Sequence, residues 1–346
     1  MKCAVICEFN PLHTGHKKLL DFARETADDV LCIMSGNFVQ RGMPAVANKY
    51  KRAAHAVKAG ADLVVELPVV YSAAAAENFA LGGVMLANKL GADVLLFGSE
   101  CGDVRLLEKC ACRLEEEEVN AEIRRLLKEG VPYPAAVSRA CGGELLQKPN
   151  NVLGVEYVSA IKKLSANIVP VTIKREDNFR SAPQQYASST ALREDASLRD
   201  RYTFPFVAQD INDDTEKLYC DFAVKFMAAA EIDYLAGIAD VTEGLQNRIH
   251  RAEKWKGFEH FISQVKTKRY TRVRLQRIIL NCILGITDEV RAQSLTTAPQ
   301  INVLAVNGQK THLLKGAEKA DELTRRADEL YQTFEGLPYP KLLQKL

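Results

Sequence analysis

The stretch Cys3-Ala4-Val5-Ile6-Cys7, then Glu8-Phe9-Asn10-Pro11-Leu12-His13-Thr14-Gly15-His16, then Lys17-Lys18-Leu19-Leu20, reads as a strand passing through a short turn straight into a helix. Such a junction aims free backbone N–H groups and the positive end of the helix dipole at the carboxyl edge of a sheet, where phosphate binds. His13 and His16 are three apart and share one face of the first helical turn. Two imidazoles there can donate to the same phosphate oxygens, and Gly15 lets a nucleotide approach the backbone closely. Asn10-Pro11 predicts an extended exit from the strand that holds the turn open. A lone His on a helix is ordinarily structural. The pair, with Gly between its members and a strand before it, points to nucleotide binding and to attack at a phosphorus bearing a good leaving group. That chemistry rests on positioning and charge stabilisation and needs no protein nucleophile.

Outward from this junction, short β-branched or aliphatic runs alternate with helical spacing, the pattern of a parallel sheet with helices on both faces. Strands are expected at Cys3–Cys7, Val30–Met34, Leu63–Glu66, Val94–Phe97 and Ile168–Thr172, and helices at Thr14–Glu25, Asn48–Ala59, Glu77–Leu90 and Val104–Lys128. From about Asp200 strand signals cease. Amphipathic helical segments follow at Glu216–Ala229, Thr242–Lys254, Gly257–Val265 and Arg272–Leu284, then an apolar run, Ile301–Val306, and a charged helix, Ala317–Phe334. The expected fold is α/β: a Rossmann-like, doubly wound parallel sheet over 1–198, followed by a mainly helical domain over 199–346.

Composition sets outer bounds. The 346 residues, 47% hydrophobic and 26% charged, exclude a disordered or fibrous chain and leave room for two domains. With 46 Lys and Arg against 44 Asp and Glu, the net charge of +2 favours neither nucleic acid nor a membrane surface. The longest apolar runs fall short of a bilayer span and Met1–Cys7 is too short for a signal-peptide core, so a cytoplasmic protein with no membrane partner is expected. The nine cysteines are odd in number, scattered and mostly within apolar runs, which fits small buried hydrophobes rather than a disulfide framework. Cys110 and Cys112 lack a nearby His, and no metal site is expected.

A second motif, Ser188-Ser189-Thr190-Ala191-Leu192-Arg193, would on its own be a helix N-cap followed by a surface Arg. Together with His13-Thr14-Gly15-His16 it resembles the paired signatures of the H-x-G-H nucleotidyltransferase superfamily. The resemblance implies a fold that binds ATP, directs attack at its α-phosphate and releases pyrophosphate. Ser188, Ser189 and Arg193 would hold the β- and γ-phosphates, a task suited to hydroxyl donors and the planar guanidinium fork.

Further segments are similar, in order and approximate spacing, to the bacterial tRNA(Met) cytidine acetate ligase family. They are Ser35–Gly42, Glu66-Leu67-Pro68, Phe97-Gly98-Ser99-Glu100, Pro149–Tyr157, Ile173-Lys174-Arg175 and Lys266–Arg277, and the similarity runs from Met1 to about Ile286. It implies an ATP-dependent ligase that acetylates the exocyclic amine of the wobble cytidine of elongator tRNA(Met), with acetate as co-substrate and AMP and pyrophosphate as products. Acetate is a poor acylating agent and the cytidine amine a poor nucleophile, so prior conversion of acetate to acetyl-adenylate suits the chemistry. The implied ATP site comprises Cys7, Glu8, Phe9, Asn10, Pro11, Leu12, His13, Thr14, Gly15 and His16, with Gly98, the pair Asn150 and Asn151 (either of which makes the contact), Arg175, Ser188, Ser189 and Arg193. His13 and His16 are the catalytic pair, Lys18 or Lys49 would neutralise pyrophosphate, and Mg2+ would accompany ATP. His55 is a general-base candidate by residue type alone and otherwise fits a packed helix face. Leu12, Thr14 and Met43 stand where the family often has Phe, Asn and an acidic residue.

Between Gln246 and Arg277 ten Lys and Arg face two acids, so this segment carries +8 and the rest of the chain −6. A compact cation cluster on an acidic body suits a phosphate backbone, and Trp255, Phe258 and Tyr270 interleave aromatic faces for unpaired bases. Lys266, Lys268, Arg269, Arg272, Arg274 and Arg277 are the candidate tRNA contacts; no stable protein partner is expected. Two other functions fit parts of the pattern. A small-molecule adenylyltransferase or acyl-adenylate-forming enzyme would leave the basic segment without a task, and an RNA-binding protein with a degenerate nucleotide site would leave the intact histidine motif without one.

Overall fold

The computed structural model describes residues 1–131, 133–141, 143–175 and 187–335. Five parallel strands, β1 (Lys2–Cys7), β2 (Asp29–Ser35), β3 (Leu63–Leu67), β4 (Val94–Ser99) and β5 (Val169–Lys174), form a sheet in the order β5-β4-β1-β2-β3, and a sixth, β6 (Val303–Val306), joins β3 antiparallel. Alternate residues of β1 serve opposite faces. Cys3, Val5 and Cys7 pack with Leu20 and Ala23 of the Thr14–Thr26 helix and with Ala53 and Ala56 of the Lys49–Lys58 helix. Ala4 and Ile6 pack on the other side, in the core with Val84 of the Ala76–Lys89 helix and Val158 of the Pro149–Lys163 helix. Because both faces are covered, the strand reads as an unbroken apolar run. The chain winds from β1 outward through β2 and β3, then crosses back to lay β4 on the other flank of β1. The carboxyl ends of β1 and β4 thus form a topological switch point, the place where doubly wound sheets bind ligands.

Several expectations need correction. The span Val104–Lys128 is two helices, Val104–Glu115 and Glu117–Lys128, parted at Glu116, whose extended backbone (φ −69°, ψ 129°) ends one and starts the next. A helix absent from the expected set, Pro149–Lys163, packs on the sheet. The chain beyond Asp200 does contain a strand: Ile301–Val306 supplies β6, whose Val306 and Ala305 pair with Leu63 and Val64. The helix after it, Glu322–Phe334, is capped by Asp321, whose side chain accepts from the Thr324 N–H. Its Ala327, Leu330, Tyr331 and Phe334 share a core with sheet residues and with Ile278 and Leu280 of the Arg272–Leu284 helix. The hydrophobic core therefore does not part at 198/199. No helix among the described residues is long and apolar enough to cross a membrane.

Candidate active site

After β1 the chain does not leave extended as Asn10-Pro11 predicted. Phe9 adopts a left-handed backbone (φ 46°), the Asn10–Pro11 peptide is cis, and the chain turns back over the strand end. Buried Asn10 fixes the turn by accepting the Val46 N–H at 2.8 Å. His13 then caps the helix, its Nδ1 accepting the Gly15 N–H at 3.1 Å. With Nδ1 acting as acceptor, the neutral ring carries its proton on Nε2 and so presents a donor. His16 stacks on His13, ring centroids 3.7 Å apart, and meets the edge of Phe9 at 5.1 Å. Burial, then the neighbouring His13 and Arg175, hold the His16 pKa well below the usual imidazole range. His16 is therefore neutral at physiological pH and can meet a ligand by hydrogen bonding rather than by charge.

The Ser-Arg motif closes over this turn. Ser188 is the N-cap of the Ser189–Glu194 helix, as its residue type alone suggested. Ser189 and Arg193 reach across the chain instead: Ser189 Oγ donates to the Pro11 carbonyl at 3.1 Å and Arg193 Nη1 to the Asn10 carbonyl at 2.5 Å. Burial, with Arg41 nearby, brings Arg193 down to about 10, so it stays protonated at neutral pH.

A cavity of about 280 Å³ opens at the β1–β4 switch point. Of the expected ATP residues, Cys7, Glu8, Phe9, His16, Gly98, Asn150, Arg175 and Ser189 line it. Asn10, Pro11, Leu12, His13, Thr14, Gly15, Asn151, Ser188 and Arg193 stand behind that lining, in the turn and its supports. At Gly98 a Cβ would come within 3.0 Å of Arg175 Cγ, so this position keeps the Arg175 side chain against the strand end. Glu100 caps the Pro149–Lys163 helix by accepting the N–H groups of Asn150 and Asn151 at 3.2 and 2.8 Å. The two asparagines then diverge. The Asn151 side chain is consumed by the Cys101 N–H and the Leu145 carbonyl. Asn150 lies on the cavity, its Nδ2 donating to Glu100 Oε1 at 2.8 Å and its Oδ1 3.5 Å from Arg175 Nη1. Of the two, Asn150 is the one on the cavity lining.

Other cavity residues were not singled out from sequence: Ile6, Leu19, Gln40, Phe79, Phe97, Leu153 and Tyr157. A signal for three positions existed, because Asn150, Leu153 and Tyr157 follow the i, i+3, i+7 spacing of one helix face. Arg52 carried none. It is 1% exposed and spends its guanidinium on backbone carbonyls: Glu8 at 2.6 Å, Ser35 at 3.1 Å, Ala47 at 2.9 Å, and Gly36. It therefore pins the exits of β1 and β2 together beneath the histidine turn. Lys49 is not available to pyrophosphate. It is 1% exposed and bonded to Glu66 at 2.7 Å and Asp328 at 2.5 Å, with Asn37 and Asn302 completing the network. Lys18 lies on the exposed side of its helix. His55 sits on the packed helix face, 2.8 Å from Asp210 and outside the cavity lining.

The basic segment is only partly open. Lys266 and Lys268 are exposed and make no ion pair with a described residue. Arg269 pairs with Glu243, Arg272 with Glu259 at 2.5 Å, and Arg274 lies 4.5 Å over the Tyr270 ring. Arg277 is packed: the helix backbone at Arg277 touches Gly42, which has φ 74° and where a Cβ would fall 2.7 Å from Arg277 Cα. Of the three aromatics, Phe258 and Tyr270 are buried, the latter bonded to Thr242, and so cannot receive bases. Trp255 is 77% exposed, with Lys256 Nζ 4.8 Å from its ring.

Residues 1–330 match the HIGH Nucleotidyl Transferase family. The tRNA(Met) cytidine acetate ligase of Caldicellulosiruptor saccharolyticus is 38% identical over 352 residues, spanning 94% of this chain and 87% of that one. The enzyme of that name from Staphylococcus carnosus is 36% identical over 331 residues, with 91% and 85% covered. The crystal structure of Thermotoga maritima TmcAL bound with alpha-thio ATP superposes with a TM-score of 0.81 at 28% identity, over 99% of this chain and 90% of that one. The fold, the histidine turn and these similarities agree, and the chain belongs to the HIGH nucleotidyl transferases and, within them, to the tRNA(Met) cytidine acetate ligase family.

Proposed function

We propose that this protein acetylates the exocyclic amine of the wobble cytidine of elongator tRNA(Met), using ATP and acetate. The observation that carries the reading is the stacked His13–His16 pair at a helix N-terminus, with neutral His16 opening onto the cavity that Gly98, Asn150 and Arg175 complete. A carboxylate oxygen of acetate bonds to the α-phosphorus as the bond to the bridging oxygen breaks, and the electron pair leaves with pyrophosphate. The cytidine amine then attacks the acetyl carbon; AMP departs, and the amine loses a proton to solvent. His16 and the helix N–H groups stabilise the charge that builds on the α-phosphoryl oxygens, while Arg193 and Ser189 hold the turn and meet the outer phosphates. Mg2+ enters with the triphosphate. Its ligands there would be the phosphate oxygens of the nucleotide.

Catalysis is assigned to residues 1–198 and RNA contact to 199–346, through Lys266, Lys268 and Trp255 before the paired arginines, in a cytoplasmic setting. The deciding experiment incubates the protein with ATP, radiolabelled acetate and total tRNA. Label on a cytidine of tRNA(Met), with release of AMP and pyrophosphate that requires both acetate and tRNA, is expected. Pyrophosphate release indifferent to acetate and tRNA would overturn the reading.

A further inference from the structure

We propose that the inner, aromatic part of the switch-point cavity is the seat of the carboxylate co-substrate, with Tyr157 and Gln40 donating to its oxygens and Phe79 and Phe97 limiting its alkyl chain to the shortest members of the class. The proposal rests on the ligase reading above and names where that enzyme holds its acid.

The cavity has depth. Asn150 stands in the first turn of its helix and Tyr157 seven residues further in, about 10 Å along the axis. His16, Arg175 and Asn150 line the part toward the helix N-termini, and Ile6, Phe79, Phe97 and Tyr157, which share one core, line the inner part. Ile6 and Phe97 belong to the core on the sheet face opposite the histidine helix, so the cavity bends over the strand ends from one face to the other. Phe97 and Tyr157 meet at 5.3 Å between centroids, and Phe79, Phe97 and Tyr157 are all buried. Among the described residues of the lining two polar groups lack an assigned task. The Tyr157 hydroxyl makes no hydrogen bond to a described residue, and neither does the Gln40 side chain, whose backbone N–H alone is engaged, by Glu8 Oε1 at 2.7 Å.

Those groups suit a small carboxylate better than a purine. The attacking oxygen must lie about 3–3.5 Å from the α-phosphorus and in line with the leaving oxygen, so the acid has to occupy a chamber that opens onto His16. The base and ribose must run the other way, past Asn150 and Arg175. A phenol and an amide supply the hydrogen bonds an acetate needs, and the rings meet its methyl group. Burial keeps the Tyr157 phenol protonated and so a donor. Among the described lining residues the charged side chains are Arg175, beside Asn150, and Glu8, which holds the Gln40 N–H and acts on Tyr157, so the acid is held at its seat by the hydrogen bonds of Tyr157 and Gln40 and not by a cation. Since the aromatic walls are held by the core, each added methylene meets packed rings rather than empty space.

The test compares Tyr157→Phe and Phe79→Val with wild type, using the full chain with ATP and tRNA. The readouts are the separate KM values for acetate and ATP, and the ratio of kcat/KM for propionate over acetate. Tyr157→Phe is expected to raise the acetate KM about tenfold while the ATP KM stays within about twofold, one lost hydrogen bond to a charged ligand. Phe79→Val is expected to raise the propionate-to-acetate ratio about tenfold. The ratio is taken within one variant, so loss of folded protein cancels from it. An ATP KM that rises in Tyr157→Phe while the acetate KM holds, or an unchanged ratio in Phe79→Val, would overturn the subsite. Wild-type protein that transfers no acetate to tRNA would instead overturn the ligase reading itself.

Discussion

In the turn after β1, side chains are tied to residues far along the chain: Asn10 to Val46, Pro11 to Ser189, and the Asn10 carbonyl to Arg193. In the basic segment the ties are shorter. Arg272 pairs with Glu259, thirteen residues away, and Arg269 with Glu243, twenty-six away, and both arginines stay partly in solvent. The difference follows from the two kinds of chemistry. A phosphoryl transition state is stabilised only by donors already in place, so the structure invests buried contacts in fixing them. A polyanion needs local positive potential, which tolerates mobile side chains and salt competition. Counting charges therefore overstates the proposed RNA surface, whereas counting motif residues understates the proposed catalytic one, because supports such as Arg52 lie outside the motif.

The largest effect that would sharpen this contrast is His16→Ala, expected to lower acetyl transfer about 10²–10⁴-fold while the unfolding transition stays in place. A comparable loss of melting temperature and rate would break it. Next is Lys49→Met, which strands the buried Glu66 and the half-buried Asp328 and is expected to cost about 3–5 kcal/mol in denaturant unfolding. Burial lifts Glu66 from the ordinary 4.5 to about 7 and raises Asp328 as well. The folded chain thus holds a proton that the unfolded chain has released, and stability from this group falls as pH rises through that window. Removal of Lys49 deepens the effect, so the deficit should shrink between pH 8 and pH 5; a deficit flat with pH would count against the network. On the basic side, Trp255→Ala is expected to weaken tRNA binding by about 1–3 kcal/mol, measured by filter binding or anisotropy. The smallest change concerns the salt dependence of that binding. Replacing Lys266 and Lys268 by Ala should lower the slope of log K against log salt by about 2, and replacing the paired Arg269 and Arg272 should lower it by less. Equal slopes for the two double variants would mean that pairing at home does not matter.

The sheet and the histidine turn were legible because their signals are local. Doubly buried strands read as apolar runs, and two histidines three apart advertise a shared face. What escaped depends on distance or on burial against type. β6 is four residues long, sits among helical segments and pairs with a strand formed far upstream. The break at Glu116 falls in a run of four glutamates with no Gly or Pro to mark it. Lys49 and Arg52 belong to the residue types most often exposed, so nothing in Lys49-Tyr50-Lys51-Arg52 shows that its two ends are buried and its middle is not. Phe258 and Tyr270 erred the other way, since aromatic residues in a basic run serve a core and a stacking platform equally well in sequence.

The antiparallel strand at the far end of the sheet has a consequence for synthesis. Asn302, beside β6, bonds Glu66 of β3 across 236 residues, so β3 must wait for its neighbour until most of the chain exists. At roughly 5–20 residues per second the ribosome takes about 12–50 s to cover that interval. Throughout it the nascent polypeptide exposes the unpaired backbone of a buried-type strand, an open invitation to pair with another chain. A fragment ending near residue 198 would carry that open edge permanently, and it is thus expected to be insoluble when made alone even though every described residue lining the cavity is present.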